Sequence, residues 1–150
     1  MYPMMNGRTI TDLIVLAIII LVLDGLFLYA AKDHFSRQVM LVQGTALRVY
    51  IPSAVVCYLL IIIGLYYFVL RHIIVPNASS MAASIQTMRL REGIIAAFLM
   101  GVFVYGVYET TTLALLRNWS VVTALIDTTW GGVLFALSTY FYYKYKSLDM

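Results

Sequence analysis

The sequence predicts an all-α membrane protein in which four transmembrane helices form a bundle with antiparallel neighbours. Three observations point there. Of the 150 residues, 63% are hydrophobic and only 11% are charged, more apolar surface than a water-soluble domain of this length can hide in one core. The apolar residues gather into four blocks rather than recurring at amphipathic spacing. Each block reaches the roughly 20 residues that a helix rising about 1.5 Å per residue needs to cross about 30 Å of hydrocarbon, and none alternates as a β-barrel strand would.

The blocks place spans at about 11–31, 50–70, 93–116 and 121–143 within one membrane domain covering residues 1–150. The first contains Leu13-Ile-Val-Leu-Ala-Ile-Ile-Ile-Leu-Val-Leu23, apolar on every face, as suits a helix surrounded by acyl chains and other helices. Arg8 ahead of it resembles the start of a signal peptide. The stretch from Leu13 to Ala31 nevertheless exceeds the usual h-region of about 7–15 residues, and no Ala-x-Ala site precedes Lys32. The second span carries the single cysteine, Cys57, read as a small packed hydrophobe with no disulfide to make.

Two polar segments and a tight turn connect the spans. Lys32 to Val49 mixes charged and apolar residues and is expected to be a helix lying along the membrane surface, or a loop. Arg71 to Glu92 holds the turn signal Pro76-Asn77 and the candidate N-caps Ser79 and Ser80, so the third helix is expected to start before it enters lipid. Arg117-Asn118-Trp119-Ser120 is short enough to force an antiparallel hairpin. Arg8, Arg71, Arg89, Arg91, Lys144 and Lys146 flank the spans on the side of the chain ends, against Lys32, Arg37, Arg48 and Arg117 on the other, which favours both ends in the cytoplasm. Tyrosines and Trp119 near the span ends fit interfacial anchors.

The informative residues are acids inside the spans: Asp24, Glu109 and Asp127. A carboxylate at membrane depth costs roughly 2.5–3.5 kcal/mol even on the lenient insertion scale, so it needs a partner, a proton or a role. Asp24 and Glu109 lie seven residues before the ends of their spans, and Asp127 seven after Ser120. All three are therefore expected about 10 Å below the surface opposite the chain ends. Thr112 lies one turn after Glu109 and Tyr105 one turn before it, while Gly131-Gly132 and Ala97 with Gly101 offer close helix contacts. A three-helix polar cluster of Asp24, Glu109, Thr112 and Asp127 is the expectation, with Lys32 and Arg117 as counter-charges reaching inward. The second span reads as apolar filler.

Such a cluster serves either as a hydrogen-bond knot that fixes packing or as a site for a cation, a proton or a lipid headgroup. The knot is favoured, because buried carboxyls readily become neutral and no intramembrane His or Lys continues a relay. Thr110, Thr111 and Thr112 are expected to bond the preceding turn's carbonyls. No catalytic Ser-His-Asp set, cysteine pair or phosphate-cradling glycine loop is legible, and His34 and His72 fall in different connections, so no cofactor or metal is expected. Both histidines are read as exposed. Asn77-Ala78-Ser79 and Asn118-Trp119-Ser120 match the glycosylation sequon by chance. The net charge of +3 resides in the flanks, which suits anionic headgroups and no nucleic acid.

Tyr108-Glu109-Thr110-Thr111-Thr112-Leu113-Ala114, then Trp119, then Asp127-Thr128-Thr129-Trp130-Gly131, resembles the signature of a predicted-membrane-protein family known only as a domain of unknown function. That pattern reads Tyr-Asp-Leu-Thr-Asn-x-Ala, a tryptophan shortly after, and Asp-x-x-Trp-Gly, and the family is met in bacteria and in large DNA viruses of algae and protists. The match rests on Tyr108, Thr111, Ala114, Trp119, Asp127, Trp130 and Gly131, with Asp24 similar to the family's acid in its first span. Pro52 and Pro76 fit weaker positions. Glu109 stands where the pattern has Asp, and Thr112 where it has Asn, changes a packing knot tolerates better than a tight ion site.

The resemblance brings no established activity, so the expected function is given by class. It is a non-enzymatic structural multi-pass membrane protein, a minor component of the inner membrane of a large DNA virus touching capsid proteins. The alternatives are a small cation or proton transporter or channel subunit, and a lipid-modifying accessory protein. The partners expected are the lipid bilayer and capsid or other membrane proteins, and an oligomer is compatible with the sequence.

Overall fold

A computed structural model describes residues 7–73 and 83–148. The turn Pro76-Asn77, the candidate caps Ser79 and Ser80 and the first sequon lie outside the described residues. Among those described, four helices are long and apolar enough to cross a membrane: α1 (Gly7–Gln43), α2 (Ile51–Ile73), α3 (Ala83–Leu115) and α4 (Val121–Leu148). No strand occurs among them.

α1 has 37 residues. At about 1.5 Å per residue it is nearly twice as long as a span requires. The segment from Lys32 to Gln43, expected as a surface helix or a loop, instead continues the first helix without a break. Nothing in it stops a helix until Gly44, whose φ of 70° closes the last turn, with its N–H donating to Met40 O at 2.9 Å. α2 opens with Pro52 in its first turn, where the missing N–H costs nothing. Its winding loosens to a π turn over Tyr66–Leu70, with Val69 and Leu70 on the buried face.

α3 begins at Ala83, ahead of the apolar block that starts near Gly93. It returns into α4 through a turn in which Asn118 adopts φ 67°. Asparagine tolerates that left-handed conformation better than most side chains. Ser120 then caps α4, its Oγ accepting the Val122 N–H at 3.2 Å.

We call the side where α1 starts and α4 ends the near side, and that of the α3–α4 turn the far side. α3 and α4 make the most extensive interface. It rests on glycine: a Cβ on Gly101 would meet the Gly131 backbone carbon at 2.6 Å and the Gly132 Cα at 2.9 Å. Without a hydrophobic drive in lipid, such close backbone approach is what gives two helices their dispersion contact.

α1 runs antiparallel along α4. Asp12, Asp24, His34 and Gln38 meet Lys146, Trp130, Thr123 and the Asn118 carbonyl in that order, a polar zipper over the full height of the bundle. Between the near-side and mid-height polar contacts lies a layer of fully buried Leu16, Ile20, Leu65, Leu134 and Phe135. The outer surface is apolar, with Phe103, Leu115 and Leu60 among many exposed large side chains. Water would not tolerate that surface and lipid does.

Candidate functional site

The intramembrane acids occupy two knots about one turn apart. In the first, both oxygens of Asp24 are occupied. Tyr58 on α2 donates its hydroxyl to Oδ2 at 2.5 Å, and Trp130 on α4 donates its indole N–H to Oδ1 at 2.8 Å. Phe27, one turn after Asp24 on α1, stacks on the Trp130 ring at 4.3 Å with an interplanar angle of 8°. One buried carboxyl thereby joins three helices.

In the second knot, Glu109 is fully buried and accepts the Trp119 indole N–H on Oε2 at 2.7 Å. Trp119 sits in the α3–α4 turn, so this bond folds the turn back onto α3. Asp127 on α4 lies within electrostatic reach of Glu109. The ring of Tyr105 lies within electrostatic reach of both Asp24 and Asp127.

The structure therefore brings Glu109 and Asp127 together and gives Asp24 separate partners. Thr112 joins neither knot through its hydroxyl, which donates to the Tyr108 carbonyl at 2.9 Å. Thr110 and Thr111 likewise bond the carbonyls of Gly106 and Val107, at 2.6 and 2.7 Å. Of the residues that carried the family resemblance, Trp119 and Trp130 supply the donors, Gly131 the close contact with Gly101, and Tyr108 and Thr111 line an external groove. Ala114 lies on α3 exposed to the lipid side.

Several expectations need correction. The second span is not apolar filler, because Tyr58 is a ligand of Asp24. Lys32 does not reach the acids: its Nζ lies 5.0 Å over the Tyr29 ring. Arg117 is exposed and makes no ion pair among the described residues, where the one salt bridge joins Lys146 to Asp12 at 2.8 Å on the near side. His34 is not an exposed loop residue. Its Nε2 lies 2.9 Å from Thr123 Oγ1, and Thr123 in turn donates to Gln38 Oε1 at 3.3 Å. Gln38 completes a far-side network by donating to the Asn118 carbonyl at 2.6 Å.

Sequence reasoning missed the roles of Tyr58, His34 and Gln38. A usable signal was present for part of this: the chain has only two tryptophans, both beside acids in the fold, and an indole N–H in lipid needs an acceptor. On the near side of α4, the hydroxyls of Ser138 and Thr139 are buried without a hydrogen-bond partner among the described residues.

The fold and the knots together define a small polytopic helical membrane protein whose buried acids are bonded by aromatic donors. The chain belongs to the family described as Predicted membrane protein (DUF2177), whose model matches residues 9–143. No curated protein and no solved structure matches it.

Proposed function

We propose that this is a non-enzymatic structural membrane protein in which the intramembrane acids are packing knots. The observation that carries this reading is the saturation of Asp24 by Tyr58 and Trp130 from two other helices. A carboxyl used in this way contributes directional bonds where lipid removes the hydrophobic drive for helix association. The apolar layer of Leu16, Ile20, Leu65, Leu134 and Phe135 supports the same reading, since it separates the acids from the near-side Asp12–Lys146 pair. The near side is assigned to the cytoplasm on its excess of Lys and Arg. In a large DNA virus the scaffold would sit in the inner membrane, with the far-side end of α1 and the α3–α4 turn available to capsid proteins.

A second reading, a small cation or proton transporter or channel subunit, draws on the closeness of Glu109 and Asp127 within the bundle. Flux measurements separate the two. The structural reading expects liposomes containing the protein to move protons and monovalent cations no faster than empty ones. Flux that Asp127→Asn abolishes while the variant stays folded would overturn it. For the viral setting, the measurement is a fixed stoichiometry in purified virions with cross-links to capsid proteins.

A further inference from the structure

A groove of 720 Å³ opens laterally on the far side, between the end of α1 and α3. Val39, Val42 and Gln43 of α1 border it, on α3 the lining runs from Val104 to Leu115, and Leu116 and Trp119 of the turn close its far end. Twelve residues of helix cover about 18 Å, close to the roughly 15 Å of hydrocarbon in one leaflet. α2 leaves the groove uncovered. It packs on α3 through its near-side half, where Gly64 approaches Met100 and Ile73 approaches Gly93, while Ile51, Val55 and Val56 on its far-side half are exposed.

The wall is mainly apolar, with the polar groups of Gln43, Tyr108 and Trp119 also on its lining. Val104 and Val107 present alkyl groups, and the hydroxyls of Thr111 and Thr112 are already bonded to backbone carbonyls. The far-side mouth is different. Arg117 follows the lining residue Leu116 directly, and Arg48 lies in the segment that leaves Gln43. Both are exposed, and neither makes an ion pair among the described residues. With Lys32 and Arg37 against Asp33 alone, this surface carries an excess of positive charge.

We propose that the groove binds an anionic phospholipid, with one acyl chain along Val104–Leu116 and the phosphate at Arg117. The inference does not depend on the role assigned to the acids, since neither Asp24 nor Asp127 lines the groove.

Lipid retention on the purified full chain tests it, read by native mass spectrometry after exchange into equimolar phosphatidylglycerol and phosphatidylcholine. The wild type should keep phosphatidylglycerol preferentially. Arg117→Gln should lower that retention about fivefold, the effect expected of one basic side chain held near an anionic headgroup. Val107→Trp should remove retention of both lipids by filling the groove. Val107 is about half exposed, and Leu115→Trp at the mouth repeats the test should the first variant fail to fold. Lys144→Gln, on the near side, should change nothing. Equal retention of the two lipids by the wild type, unchanged retention in folded groove-filled variants, or a loss in Lys144→Gln equal to that in Arg117→Gln would each overturn the proposal.

Discussion

The indole of Trp130 donates to Asp24 across the α1–α4 interface at 2.8 Å while Phe27 stacks on the same ring. Trp130→Phe keeps an aromatic surface for Phe27 and removes the donor alone. A buried acceptor that loses one of two partners costs about 1–3 kcal/mol, and unfolding of the variant in detergent should report a loss of that size. Adding Asp24→Asn in a double-mutant cycle should show coupling, as expected for residues in contact. Additive effects would remove Asp24 from the role of a packing knot.

The glycines of the α3–α4 hairpin give a second prediction, with an internal control. A Cβ on Gly101 would strike backbone atoms of Gly131, which cannot rotate away. Gly101→Ala should therefore destabilise by about 1–3 kcal/mol or more. Gly131→Leu should do likewise, since even the Cβ would crowd Tyr105. Gly25 has open space at the Cβ position, so Gly25→Ala should be neutral or stabilise by up to about 1 kcal/mol through helix propensity. Thermal unfolding of the three variants side by side checks the ranking.

Thr123 and Thr139 are both fully buried on α4, yet among the described residues only Thr123 has hydrogen-bond partners, His34 and Gln38. Replacing each by the isosteric valine should move stability in opposite directions. Thr123→Val breaks a network and should cost about 1 kcal/mol, while Thr139→Val relieves an uncompensated hydroxyl and should gain a similar amount. Chemical denaturation in mixed micelles reads both signs.

The His34–Thr123–Gln38–Asn118 network ties the far-side end of α1 to the hairpin. Gln38→Leu should loosen that end without unfolding the bundle. Hydrogen–deuterium exchange should accelerate over residues 38–43 and stay unchanged in the Leu16–Ile20 layer, because local opening follows the few contacts that hold a segment.

The near-side assignment to the cytoplasm is open to a reporter test. A fluorescent protein fused after Leu148 should fold and emit, and a periplasmic phosphatase at the same position should be inactive. A reporter inserted at Gly44 should give the reverse pattern. This outcome is the one expected from the proposed orientation, which rests on the balance of basic residues in the flanks.

By itself the sequence determined the solvent, the number of apolar blocks and the α3–α4 hairpin, and it singled out the three acids inside the spans. These are properties of composition and of local spacing: a run of about 20 apolar residues has to be helical in lipid, and a four-residue connection can only reverse direction. Counting along the helices also put Asp24, Glu109 and Asp127 at one depth, whereas the structure gives Asp24 its own knot about one turn from the other two. Only the tertiary structure decided which donors meet which acids. Tyr58 and Asp24 are 34 positions apart, and Trp130 is 106 positions from Asp24, so their meeting depends on how each helix is rotated about its axis. Helices apolar on every face leave that rotation unspecified. The glycine contacts between α3 and α4 and the zipper along α1 fix it, and with it the length of α1, whose far-side turns are helical because Gln38 and His34 find partners on the hairpin.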